Sequence, residues 1–206
     1  MKVPATEERG RAGRPGRPRS EEADRAILDA TLDLFVEHGF EAMSMEGIAA
    51  RAGVGKTTIY RRWPSKEDLV VDAIDELIMD VEPPDTGSLR RDLVELLTHL
   101  QVVLTSSRAG RVFPRMIPHV AGATPLGRAY LQRVIEPRFA MLRSTLRHAS
   151  ERGELPADTD PELLRGLLVG PLLMWKLIGR LTRQGARERA EQIVDVVLGG
   201  LSRSSA

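Results

Sequence analysis

The sequence predicts an all-α protein in two parts, a three-helix N-terminal unit followed by a larger antiparallel helical bundle. Apolar residues recur at three- and four-residue spacing through most of the chain, the pattern of helices with one buried side. No alternating apolar and polar run reaches a useful strand length, and no internal repeat is visible. Glycines, prolines and Ser or Asp residues ahead of acidic ones punctuate the apolar runs where helix ends belong. The 206 residues include only four Phe, two Tyr and two Trp, so Leu, Val, Ile, Ala and Met must fill the core.

Residues 1–19 are rich in Arg, Gly and Pro and offer almost nothing to bury, which predicts a basic arm that stays disordered until bound. Ser20 is a good N-cap, with Glu21, Glu22 and Asp24 in the first turn. The helix it opens runs to about His38, buries Ile27, Leu28, Leu32, Leu34 and Phe35, and stops at Gly39. Ser44 caps a second helix to about Ala52, and Gly53 turns the chain. A third helix is expected from Lys56 to Trp63, and a fourth, capped by Ser65, to about Val81 ahead of Pro83-Pro84. Ser88 is placed to cap a helix to Ser106, and a proline-interrupted stretch follows from Gly110 to His119. Gly122 to Pro125 opens a long helix to about Glu151, ended by Gly153. Asp160-Pro161 starts a helix to about Thr182, and Gly185 separates a last one to about Leu201. The division that follows is 1–19 arm, 20–66 helix-turn-helix unit and 67–206 bundle, with the fourth helix serving both.

The second and third helices with their glycine turn have the layout that lays one helix in the major groove of DNA. The net charge of +1 hides a strong asymmetry. Residues 1–20 hold six basic groups against two acids, and residues 51–66 hold Arg51, Lys56, Arg61, Arg62 and Lys66 with no acid. Basic charge is thus concentrated where phosphates would be met. Gly55 lets the backbone approach the duplex, and Lys56 and Thr57 sit at a helix start. Thr57 and Thr58 suit base edges and thymine methyls, Tyr60 a phosphate, and Arg61 guanine or backbone. Arg62 and Lys66 read as phosphate clamps. Ser44 and Met45, at the start of the second helix, join the DNA-facing set, while Ile48, Ala49, Ile59 and Trp63 form its buried side. The same residues fit a relaxed phosphate-loop pattern, Ala50 to Gly55-Lys56-Thr57, but that loop needs a strand before it and a long helix after it.

Residues 24–70 resemble the TetR family of bacterial transcriptional regulators. The resemblance rests on Leu34-Phe35 followed by Gly39-Phe40, on Ser44 to Val54, and on Ile59 to Leu69. Trp63 stands where the family has Phe, and Arg61-Arg62 replace a common Tyr-His pair. The resemblance implies a dimeric repressor released from a pseudo-palindromic operator when a small apolar or amphipathic effector binds the bundle. In the arm, Arg14, Arg17 and Arg19 around a Gly-Arg-Pro core resemble a minor-groove hook. An architectural DNA-binding protein with little sequence specificity is the alternative.

In the bundle, the segment from Asp160 to Thr182 is apolar on more than one face, and the last helix adds Ile193, Val194, Val196, Val197, Leu198, Leu201 and Gly199-Gly200. Together they are expected to form a homodimer seam. Candidate effector contacts are Phe113, Met116, Ile117, His119, Tyr130, Met141, Leu142, Met174 and Trp175. No catalytic constellation, cofactor motif or metal spacing is found among the four histidines, and there is no cysteine. The most apolar stretch, Leu163 to Ile178, is broken by Arg165, Gly166, Pro171 and Lys176, so no membrane span is expected. A cytoplasmic, nucleoid-associated protein is the expectation, with double-stranded DNA as its partner.

Overall fold

The computed structural model describes residues 18–78, 84–106, 108–156 and 158–204; among these are ten α-helices and one π-turn, and no strand. The N-terminal group is α1 (Pro18–His38), α2 (Met45–Ala52), α3 (Lys56–Tyr60) and α4 (Lys66–Leu77). The body is α5 (Leu89–Thr105), α6 (Ala109–Ala121), α7 (Pro125–Tyr130), a π-turn over Leu131–Ile135, α8 (Glu136–Glu151), α9 (Pro161–Leu177) and α10 (Ala186–Ser204). No described helix is long and apolar enough to cross a membrane.

Local signals set most of the ends. The side chains of Ser44, Ser65, Thr124 and Asp160 accept hydrogen bonds from the first-turn amides of α2, α4, α7 and α9. Gly53 closes α2 at φ 68°, a left-handed conformation that a side chain resists. α1 begins at Pro18 rather than Ser20, since the fixed φ of proline suits a first helical position. α3 ends at Tyr60, three residues earlier than expected, because Pro64 disfavours a helical conformation at Trp63. α4 ends at Leu77 instead of Val81; Ile78 has φ −92° and ψ 75°, and residues 79–83 lie outside the described part. α9 stops at Leu177 rather than Thr182, turned by Gly179 at φ 70°.

Two features are decided by tertiary packing rather than by local signals. The proline-interrupted stretch is a helix, α6, with Pro114 and Pro118 inside it. The two prolines, four apart, share its exposed side, so their rings do not intrude on the core. The opposite side buries Ala109, Gly110, Val112 and Met116, and that burial overrides the local propensity. Ser88 makes no side-chain cap to α5. Glu154, beyond the end of α8, caps it instead, accepting the Leu89 amide at 2.7 Å while Arg152 donates to its other oxygen at 2.6 Å.

Two apolar clusters result. The first joins Ile27, Phe35, Ile48, Ile59, Trp63 and the apolar residues of α4 to Val112, Met116, Leu126, Tyr130 and Val134 of the body. It runs across the expected 66/67 boundary. The second joins α5, α8, α9 and α10 around Leu93, Leu97, Leu142, Leu164, Leu168, Leu172 and Val194. α6 and α7 meet tightly: among the described glycines, Gly127 has the least room, and a Cβ added there would stand 2.1 Å from the His119 carbonyl oxygen.

Gly127→Ala therefore forces two backbones apart and is expected to cost about 1–3 kcal/mol. That corresponds to a melting temperature roughly 3–10 °C lower for a chain of this size, and an unchanged midpoint contradicts the packing. The Leu89 amide, followed by Arg152, holds the Glu154 carboxyl below its ordinary pKa. A depressed carboxylate contributes stability above the unfolded pKa of about 4.3 and loses it as pH falls. The urea-midpoint gap between the wild type and Glu154→Gln should be wide at pH 7 and close in acid. A gap independent of pH counts against the ionised cap.

Candidate nucleic-acid interface

α2 and α3 form the expected helix-turn-helix. Ile48 and Ile59 are fully buried, and Ala49 and Trp63 nearly so, which anchors α2 and the α3 segment in the first core. Ser44, Gly55, Lys56, Thr57, Tyr60 and Arg61 are exposed, and Thr58 is half-exposed. α3 is thus anchored through Ile59 and Trp63 while its threonines and Tyr60 face outward. A helix precedes Gly55-Lys56-Thr57 and the helix that starts at Lys56 has only five residues, so the phosphate-loop pattern has neither of its structural partners.

Three of the predicted contacts are placed differently. Met45 is only 7% exposed and packs in the first core, because the outward positions at the start of α2 fall to Ser44 and Glu46. Lys66 does not project as a clamp; its ammonium donates to the carbonyls of Phe40 (2.8 Å) and Met43 (3.0 Å) and lies 4.1 Å from the centre of the Phe40 ring. It fastens the α1–α2 loop to the start of α4. Arg62 pairs with Asp24 of α1 and is largely covered. Arg14, Arg17 and the side chain of Arg19 lie outside the described residues.

The other cations of this segment also have partners. Arg51 makes a two-pronged bond to Glu37 of α1, at 2.6 and 2.7 Å. Lys56 bonds Glu46 of α2 at 2.5 Å, and that bond holds the Glu46 carboxyl below its ordinary range. Among the described residues, Arg61 is the one cation of residues 51–66 with neither a hydrogen-bond nor an ion-pair partner. Much of the basic charge that looked available for phosphate thus holds the head together.

Residues outside the predicted set join the head to the body. Arg108, before α6, reaches Asp29 (2.5 Å) and Asp33 (2.8 Å) of α1. Arg133, in the π-turn, reaches Asp68 (3.0 Å) and Asp72 of α4. Arg138 of α8 reaches Asp75 at 2.8 Å and the Ile78 carbonyl at 2.6 Å. The legible signal was the spacing of Asp68, Asp72 and Asp75, which puts three carboxylates along one side of α4.

The nine predicted effector contacts are not brought to one place. Met116 and Tyr130 belong to the first core, and burial pushes the Tyr130 hydroxyl up to about 12. His119 stacks edge-on against Phe40 of the head, with ring centres 5.6 Å apart. Phe113, Leu142 and Trp175 pack in or against the second core, while Ile117 and Met141 are half-buried. Met174 points outward, 56% exposed. None of them lines either of two recesses in the body. One, of about 150 Å³, lies among Asp85, Asp92, Thr145, His148 and Arg152; the other, of about 590 Å³, is an open groove among Leu89, Arg90, Leu155, Leu198 and Leu201. No group of three or more His, Asp or Glu residues among the described ones is arranged to hold a metal ion.

Comparison with known proteins agrees with the geometry. The family described as bacterial regulatory proteins, tetR family, matches residues 27–73, and the tetracyclin repressor-like C-terminal domain matches residues 83–197. The uncharacterized HTH-type transcriptional regulator YdeS of Bacillus subtilis is 37% identical over 164 residues, 79% of this chain and 82% of that one. The DNA-binding transcriptional repressor TetR of Mycobacteroides abscessus is 30% identical over 192 residues, 91% of this chain and 98% of that one. The structure of the flavonoid-responsive regulator FrrA superposes with a TM-score of 0.68 at 26% identity, over 89% of this chain and 97% of that one. With a helix-turn-helix held on a helical body and both halves matched, this chain belongs to the TetR family of bacterial transcriptional regulators.

Proposed function

We propose that this regulator is a homodimeric repressor, acting in the cytoplasm at the nucleoid, that leaves a pseudo-palindromic operator when a small apolar or amphipathic effector binds its body. The observation that carries the reading is the outward face of α3, where Thr57, Thr58, Tyr60 and Arg61 stand over an anchored core. Residues 20–66 read the duplex, residues 67–206 dimerise and bind the effector, and the arm at 1–19 adds phosphate and minor-groove contact through Arg14, Arg17 and Arg19. Arg61 is the side chain most available to guanine or phosphate. Neither catalysis nor a cofactor enters this reading.

The dimer is supported by α9 and α10. Leu163, Leu167, Met174, Leu177 and Ile178 project from one side of α9 and are all more than two-fifths exposed. A Cβ added to Gly166 or Gly170 would meet nothing within 4 Å, nor would one at Gly199 of α10, near Val196 at 76% exposed. An apolar face of this length with small residues for close approach suits a second copy of the chain. A two-fold dimer would place two α3 helices one DNA turn apart, roughly 34–36 Å. The effector would meet the half-buried Phe113, Ile117, Met141 and Trp175, and the flavonoid-responsive and repressor relatives support this part of the reading.

The test is an anisotropy titration of the full chain at physiological salt, with duplex from upstream of its own gene against a scrambled duplex. A preference of about a thousandfold or more is expected; equal affinity counts against autoregulation and leaves a distant operator or the architectural alternative. In the same titration Arg61→Met should lower the slope of log affinity against log salt by about one. Lys66→Met should leave that slope alone and lower the melting temperature, whereas a reduced slope would return Lys66 to the phosphates. Leu167→Glu should halve the mass measured by light scattering, and a mass unaffected by the charge removes α9 from the seam.

A further inference from the structure

The π-turn holds a residue whose side chain reaches the reading head through two carboxylates of α4. Arg133 lies in the middle of Leu131–Ile135, where the wider turn adds a residue per coil and changes which side chains face α4. Val134 enters the first core fully buried, Leu131 stays 41% exposed, and Arg133 spreads its two terminal nitrogens over α4. One donates to Asp68 Oδ1 at 3.0 Å and the other to Asp72 Oδ1. The second oxygen of Asp72 accepts the Trp63 indole N–H at 2.8 Å. The second oxygen of Asp68 accepts the Ser65 hydroxyl at 2.5 Å, and that hydroxyl in turn accepts the Asp68 amide at 3.0 Å. Both carboxylates are thus shared between a body arginine and the Trp63–Ser65 turn that ends the reading segment.

From this we infer that Arg133 is a positioning residue for DNA reading: by orienting Asp72 it sets the Trp63 ring, and with it the outward angle of Tyr60 and Arg61. The inference rests on the function proposed above and adds the residue through which the body addresses the head. The chain of contacts is short. The Trp63 amide is tied to the Ile59 carbonyl of α3 at 2.9 Å, so a shift of the indole moves the end of that helix. Asp72 has one oxygen for each partner, and without the guanidinium its carboxylate is free to rotate away from the indole. The family's usual Phe at position 63 has no N–H to offer, so this link belongs to chains that carry Trp there. A bridge as exposed as this one contributes little to global stability, about 0–1 kcal/mol, which separates its positional effect from a folding effect.

The experiment uses ¹⁵N-labelled full-length protein and a duplex enriched from a randomised pool by the wild type. The two tryptophans give two indole N–H signals, with Trp63 assigned by its absence in Trp63→Phe and Trp175 serving as the internal control. Arg133→Met should move the Trp63 signal and not that of Trp175. It should also weaken binding to the enriched duplex about tenfold, an ordinary coupling between sites, with the melting temperature nearly unchanged. Arg133→Lys should recover part of the affinity. In the Trp63→Phe background the same Arg133→Met change should alter affinity less than about twofold, since linked residues are not additive. An unmoved Trp63 signal overturns the inference, as does an equal loss of affinity in both backgrounds. Failure of the wild type to enrich any duplex rejects the proposed function instead, and the indole signal still decides whether Arg133 positions Trp63.

Discussion

α4 is shared by both halves of the molecule, and the rest of the architecture follows from how completely it is claimed. Leu69, Val70, Val71, Ala73 and Ile74 are all fully buried, so this helix has little apolar surface left to turn toward water. Its carboxylates at 68, 72 and 75 are held by arginines of the body, and its N-terminal Ser65 and Lys66 close the head. Burial fixes where the helix lies, since removing that apolar area from water is worth far more than any exposed ion pair. The ion pairs fix its rotation and register, because each arginine accepts only a narrow range of directions. A helix held in both respects cannot shift without moving the head.

This arrangement gives a physical form to control of DNA reading from a distance. The head has few means of independent movement: α1 is tied to the α6 end by Arg108, α2 to α1 by the Arg51–Glu37 fork, and the α1–α2 loop to α4 by Lys66. Any ligand that favours one packing of the body over another changes the free energy of one head orientation relative to the other, and that differential affinity is all a ligand can use. The close crossing of α6 and α7 at Gly127 matters here, because two backbones in contact leave no slack to absorb a displacement.

The all-α class, the two-helix reading motif and most helix starts were legible because local chemistry decides them. Ser44, Ser65 and Asp160 cap in the structure as their positions in the chain imply. What was illegible depends on residues far apart in the sequence. Glu154 caps a helix that begins 65 residues earlier, a partnership with no local signature. The prolines of α6 argue against a helix until a buried face is supplied by neighbours. Lys66 and Arg62 read as phosphate clamps because a basic run near a helix-turn-helix suggests DNA, yet Phe40, Met43 and Asp24 engage them first. The effector contacts were chosen by side-chain type alone, and type does not separate a cavity wall from core packing.

Native-state hydrogen exchange tests most directly whether head and body are one cooperative unit joined through α4. If they are, the slowest amides of α1 and α2 should share their opening free energy and denaturant dependence with those of α6 and α7. A lower-energy opening of α1 to α3 while α6 and α7 stay protected would contradict the account and make the head an independent domain on a hinge.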